Sequence, residues 1–286
     1  MKTISLTTKG LLAILLMGAL TFTSCKKENS TDTQQEIVVT LDAAQNDAEA
    51  ENQFNDVFDN VTATNGGDNL GLVDGAGIYG REDSVGRCFT VTVSPDTPGV
   101  FPKTVTIDFG TGCLGKDGKL RTGKIMIVFT GRLAEPGKSA TTTFVNYTVN
   151  GVKIEGTHVI TNTSTSNNRS FTVEVTNAKI TKQDGKWVKW SSAKSFVQTE
   201  GNGTPRFHED DVIVITGNKN GENSEGATWS ATIIDQLVRK GNCRWIVSGK
   251  VNLVRKGVTA LLDYGNGDCD NKATITINGV TREITL

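Results

Sequence analysis

Twice in this 286-residue chain an Asn-Gly pair sits between two short runs of β-branched residues. Tyr147-Thr148-Val149 and Val152-Lys153-Ile154 flank Asn150-Gly151, and Ile275-Thr276-Ile277 and Val280-Thr281 flank Asn278-Gly279. A two-residue type I′ turn needs positive φ at both centres, which Asn and Gly tolerate, so each stretch dictates an antiparallel hairpin of fixed register. Asp184-Gly185 predicts a third hairpin, between 170–181 and 186–197. From Arg87 onward no segment carries a helical period. Runs of Val, Ile, Thr, Phe and Tyr alternate with turn residues instead, giving about thirteen strands. Consecutive hairpins place sequence neighbours side by side. The fold class is therefore all-β: an antiparallel meander that must bury one face as a rolled sheet, a sandwich or an open barrel. Residues 125–129 are apolar at every position and predict a central strand, whereas the threonine-rich 141–147 predicts a half-exposed one.

One helix breaks this pattern, near the N-terminus. Phe54, Val57, Phe58 and Val61 recur at i, i+3, i+4 and i+7, and alanines and acids fill 42–51. The spacing predicts a helix over 41–62, with Phe54 and Phe58 on the core and an acidic opposite face. Asn65-Gly66-Gly67 stops it, and the glycine-rich 66–82 reads as a loop.

Ahead of the helix, Lys2 and Lys9 precede an apolar run, 11–22, which ends at Cys25. The run is too short to span a bilayer, which needs about 20 residues, and has the length of a secretory signal core. Phe22-Thr23-Ser24-Cys25 resembles the lipobox of bacterial lipoproteins, with Phe22 in place of the usual aliphatic residue. The resemblance implies that the Cys25 thiol is diacylated and the leader removed before it. Two or three acyl chains then hold the chain stably at a membrane, at about 0.8 kcal/mol per buried CH₂. The expected organisation is a signal peptide over 1–24, a lipidated Cys25 with a flexible polar tether over 25–36, and a β-rich body over 37–286.

Lipidation also accounts for an odd count of five cysteines, leaving Cys88, Cys113, Cys243 and Cys269. Cys88 and Cys113 bracket two strand-like runs with the Pro-Gly turn residues between them, placing a turn near Val100. Cys243 and Cys269 bracket another such pair, with the turn at Lys256. Two local bridges follow, Cys88–Cys113 and Cys243–Cys269, each expected to stabilise by about 3–4 kcal/mol. An exported destination permits them. The segment Asp108-Phe109-Gly110-Thr111-Gly112-Cys113 returns as Asp263-Tyr264-Gly265-Asn266-Gly267-Asp268-Cys269 with one insertion, a motif used twice that suggests two similar halves. Together with the lipobox, this pattern is similar to exported lipoproteins of the Bacteroidetes type. That likeness implies a fold, a cell-envelope location at the outer membrane (periplasmic or surface face) and an anchor, and it transfers no activity.

The net charge of −1 provides no basic field for nucleic acid. Four candidate sites remain. His208-Glu209-Asp210-Asp211 is the densest polar cluster, either an acid/base or cation site or merely a charged strand start. Asp263, Asn266, Asp268, Asp270 and Asn271 offer oxygens to calcium, but such residues also build turns without metal. Trp187, Trp190, Trp229 and Trp245 could stack sugars, although positions 187 and 190 fall on opposite faces of a regular strand. Carboxylates spaced for glycoside hydrolysis cannot be paired from sequence, and no G-x-S-x-G elbow is present. The residues favour a non-enzymatic binding or structural module with no cofactor and no metal, moored to a membrane through its lipid, with a glycan or an envelope protein as partner. A carbohydrate-binding or glycan-hydrolysing surface protein is the alternative.

Overall fold

The computed structural model describes residues 30–64, 88–115, 117–166, 168–204 and 209–286. The signal segment, Cys25, the 66–82 loop and His208 lie outside the described residues. One helix, α1 (Ser30–Thr62), comes first. The strands are β1 (Thr90–Ser94), β2 (Lys103–Asp108), β3 (Cys113–Leu114), β4 (Leu120–Phe129), β5 (Ser139–Val149), β6 (Val152–Asn162) and β7 (Ser170–Thr181). They continue as β8 (Trp187–Glu200), β9 (Val212–Asn223), β10 (Thr228–Lys240), β11 (Ile246–Arg255), β12 (Val258–Asn266), β13 (Lys272–Ile277) and β14 (Val280–Thr285). All belong to a single antiparallel sheet in which each strand neighbours the next, except that the two-residue β3 pairs only with β4. The sheet does not close: β1 and β14 are its edges.

Turn chemistry sets the register as expected. Val149 pairs with Val152 around Asn150-Gly151, and Ile277 with Val280 around Asn278-Gly279. All four turn residues have φ between 50° and 79°. Arg255 pairs with Val258 around Lys256-Gly257, and Thr181 with Trp187 across Asp184-Gly185. The segment 125–129 lies inside the sheet, between β2 and β5.

The sheet curls because it is bulged. At Gly156 the β6–β7 register shifts, and at Gly249 the β11–β12 register does the same. A Cβ on Gly156 would stand 2.6 Å from the Ala178 Cα, and one on Gly249 2.7 Å from the Leu237 Cα. Only glycine allows that approach, and a bulge raises local twist and bend.

The curled sheet wraps α1. The helix was expected over 41–62, and it begins at Ser30, so the polar stretch 30–36 assigned to a tether is helical. Glu36 gains an ion pair with Arg255, a tertiary partner that sequence periodicity could not reveal. Nor does the acidic face look outward. Asp47 and Glu51 are fully buried on the same stripe as Phe54 and Phe58 (i, i+4, i+7, i+11), and Val57 and Asn60 are fully buried on other faces. The helix crosses the strands obliquely. The β11–β12 tip reaches Glu36 through Arg255, the β9–β10 tip reaches Asp42 through Asn223, and the β7–β8 tip reaches Glu49 through Lys182. Each step of six or seven residues advances α1 by about 10 Å. Two strands, one hairpin, span about the same distance across a sheet.

Both disulfides form, Cys88–Cys113 and Cys243–Cys269. The first is not a pair of opposed hairpin residues. β1 and β2 align Thr90 with Asp108, and the chain beyond Phe109 detours through Gly110–Gly112 before Cys113 joins β4 opposite Arg121. The repeated motif is repeated in structure as well. Asp108 and Asp263 each accept a hydrogen bond from the N–H two residues on, at 2.9 Å in both. Each also pairs with the lysine opposite it, Lys124 at 2.8 Å and Lys250 at 3.1 Å. The following aromatics, Phe109 and Tyr264, are buried in the core.

Candidate functional site

The centre of the roll holds a charged clasp. Asp47 of α1 accepts hydrogen bonds from the indole Nε1 of Trp190 at 2.9 Å and of Trp229 at 3.3 Å, and from Lys219 Nζ at 2.5 Å. One turn on, Glu51 pairs with Lys194 at 2.5 Å and Lys219 at 3.4 Å. Burial alone would raise the Glu51 carboxyl, but the two ammonium groups hold it down to about 2. The Asp47 pair favours the charged form of Lys219 in the same way, so its ammonium is held above the ordinary lysine range against the opposing effect of burial. Phe54 stacks between this clasp and His158, with ring centroids 5.5 Å from Trp190 and 6.2 Å from His158. Every member is sealed from solvent. The clasp therefore positions α1 and meets no substrate.

A cavity opens where α1 ends. It has a volume of about 570 Å³ and lies between the last turns of the helix, strands β7 to β9 and the loop joining β10 to β11. That size suits a small-molecule ligand. Its apolar wall is built from Phe58, Phe171, Phe196, Ile213 and Trp245. Phe58 and Phe196 stack at 4.9 Å, which fixes the helix against β8. Its polar wall carries five carboxylates and five basic side chains. These are already engaged with protein groups. Asp56 takes Lys119 at 2.7 Å and Arg121 at 2.8 Å, and Asp117 takes Arg121 at 2.7 Å. Asp59 receives Arg239 Nη2 on both oxygens, at 3.0 and 2.8 Å. Gln198 bridges Asp211, to which it donates at 2.6 Å, and Arg169, from which it accepts at 3.2 Å. Burial would raise Asp117, but hydrogen bonds and charge from Arg121 hold its carboxyl below the usual range.

Trp245 and Arg244 form the lip, the guanidinium 4.5 Å from the indole centroid. The lip is pinned from both sides. Gly241 N–H donates to the Asp211 carbonyl at 2.8 Å, Lys240 Nζ donates to the Gly267 carbonyl at 2.8 Å, and Cys243 is tied to Cys269. The second disulfide is thus a strut of the cavity mouth.

The sequence candidates sort against this geometry. Glu209 and Asp211 line the cavity, while Asp210 is exposed and accepts from Thr204 Oγ1 at 2.6 Å. Asp263 and Asp270 are spent on turns, accepting from the N–H of Gly265 and of Lys272 at 2.9 Å each, and Asp263 also pairs with Lys250. Among the described residues no group of three or more acidic, His or Cys side chains is placed to hold a metal ion. The four tryptophans make no shared platform. Trp190 and Trp229 point inward to Asp47, Trp187 lies on the outer face between Lys179 and Lys189, and Trp245 alone borders the cavity. The alternation of β8, inward at Trp190 and outward at Trp187, separates the first two. Sequence reasoning missed Asp56, Asp59, Arg239 and Phe171, which converge only when the sheet curls. Compared with protein-family models, with curated proteins and with solved structures, the chain matches none.

Proposed function

We propose that this protein is a lipid-anchored binding module of the bacterial cell envelope, whose ligand enters the cavity at the C-terminal end of α1. The cavity carries the reading: a mouth braced by a disulfide, an aromatic wall and a polar wall, all at one end of a rigid roll. Support for the anchor comes from the lipobox-like Phe22-Thr23-Ser24-Cys25. Two disulfides agree with folding outside the cytoplasm, and among the described residues no helix is long and apolar enough to cross a membrane. The outer membrane is the proposed site, with the body on its periplasmic or surface face.

Binding is favoured over glycan hydrolysis. A glycosidase needs one carboxyl group kept protonated near neutrality. Asp56, Asp59 and Asp117 are each engaged in an ion pair with Lys or Arg, and Arg121 holds the Asp117 carboxyl below its usual range. Two measurements test the proposal. Mass spectrometry of protein from its native envelope should find a mature chain beginning at an acylated Cys25; a free thiol there, or a retained leader, removes the anchor. A glycan and peptide array probed with the whole protein should give a hit that Trp245→Ala abolishes; hits indifferent to that change would move the site elsewhere.

A further inference from the structure

We infer that the cavity takes a neutral, polyhydroxylated ligand, a short saccharide, in preference to any charged small molecule. This rests on the binding reading above and narrows it to a ligand class.

The argument starts from charge. The cavity wall is balanced, five acids against five bases, and the ion pairs run across it. Asp56 is held by Lys119 and Arg121, Asp117 by Arg121, and Asp59 by both hydrogen bonds from Arg239. A charged ligand seated against Asp56, Asp59 or Asp117 would have to break one of these pairs and leave a partly buried charge without its partner, which is strongly unfavourable. A neutral ligand need not. An ionised carboxylate offers about four lone-pair positions and a guanidinium five N–H donors, so the Asp59–Arg239 pair, both members of which line the cavity, leaves acceptors and donors over. These spare positions are planar and fixed, the arrangement that receives adjacent hydroxyl groups two at a time. Asn52, Asn55 and Asn242 add neutral amides on the same wall.

The opposite wall supplies the second half of the chemistry. A pyranose ring carries hydroxyls at its rim and C–H groups on its face, and the C–H face packs against an aromatic ring. Trp245 is half-buried at the mouth, and Phe171 borders the cavity under Arg169, whose guanidinium lies 5.9 Å from the ring centroid. A ligand with one apolar face and a hydroxylated rim fits both walls at once. A peptide side chain or a fatty acid would satisfy one wall and desolvate the other.

The test uses the whole chain purified from membranes in a polyoxyethylene detergent, which carries no sugar. Neutral gluco-, manno- and galacto-oligosaccharides are titrated calorimetrically beside sulfated sugars, acidic peptides and basic peptides, at low and high salt. Expected is binding of at least one neutral oligosaccharide, unchanged by salt because no net charge is exchanged. Trp245→Ala should weaken it by about tenfold or more, the loss of one aromatic contact of roughly 1.4 kcal/mol. Trp187→Ala, on the outer face, should leave it unaltered and shows that the loss is local. Binding confined to sulfated or peptide ligands, falling with salt and still sensitive to Trp245→Ala, would overturn the saccharide assignment and keep the cavity as a binding site. No Trp245-dependent ligand of any class would overturn the binding reading itself.

Discussion

Acidification should destabilise this protein through one buried imidazole. His158 lies on the inner face of β6, fully buried, stacked on Phe54 with an interplanar angle of 19°. Burial, aided by the nearby Lys194 charge, pushes its pKa from 6.5 to about 3. The folded chain therefore excludes a proton that the unfolded chain accepts below pH 6.5. Stability is full above that pH, declines as pH falls and levels off near pH 3. For these two values the loss between pH 7.5 and pH 5 is about 2 kcal/mol. Carboxylates contribute little in that window because their unfolded values lie near 4. The measurement is urea unfolding by tryptophan fluorescence at half-unit steps of pH, in a His208→Gln background so that a single imidazole titrates. His158→Leu keeps the volume roughly and removes the titration, so its stability should stay flat from pH 7.5 to pH 5. An equal decline in His158→Leu, or an imidazole resonance titrating near 6.5 in the folded protein, would refute the reasoning.

The other expectations concern the clasp, the bulges and the bridges. Lys219→Met should destabilise by about 3–5 kcal/mol, because Asp47 and Glu51 stay buried without it; adding Asp47→Asn should restore a substantial part, measured as a double-mutant cycle in urea. Glu51 titrates near 2 in the folded state against 4.5 unfolded, so its contribution is present above pH 4.5 and lost as pH falls through 2. Glu51→Gln should remove that acid limb, about 3 kcal/mol, from the pH–stability curve. Gly156→Ala, at φ 124° with Ala178 Cα 2.6 Å from the new Cβ, should destabilise the fold by at least about 1–3 kcal/mol of backbone strain, read as a lower melting midpoint. Cys243→Ser and Cys88→Ser open bridges of similar span, 26 and 25 residues, and should cost comparable stability, about 3 kcal/mol. Only Cys243→Ser should also weaken ligand binding, because that bridge braces the lip.

Local chemistry made the hairpins legible. Asn150-Gly151, Asn278-Gly279 and Asp184-Gly185 encode their turns in two residues each, and the registers follow from them. The cysteine pairing was legible for a related reason, since each bridge is local in sequence. The register of the first hairpin was not. Val93 opposes Val105 and not a residue three further on, because the chain stores three extra residues at Gly110–Gly112 before β3. Nothing in a β-branched pattern counts such a detour. The cavity was illegible for a different reason: Asp59 meets Arg239 across 180 residues of sequence, and curvature contributed by bulges decides that contact.

The charge on the helix held more information than its total suggests. A net charge of −1 conceals a segregation by element. The α1 sequence carries eight acidic residues and no lysine or arginine. On the strands, Lys194 shares its inward parity with Trp190 and Phe196, Lys219 with Ile215, Arg255 with Val251 and Leu253, and Arg239 with Leu237. A cation at a core position of a strand is costly unless an anion meets it. Four such cations on four strands thus require an acidic element inside the sheet, and α1, with eight acids and no Lys or Arg, supplies it. Parity and charge together place α1 within the roll, and the stripe that carries Phe54 and Phe58 to the core carries Asp47 and Glu51 with them. The same logic explains why the helix runs back beyond Leu41 to Glu36: Arg255 has an inward position to neutralise, and Glu36 pairs with it.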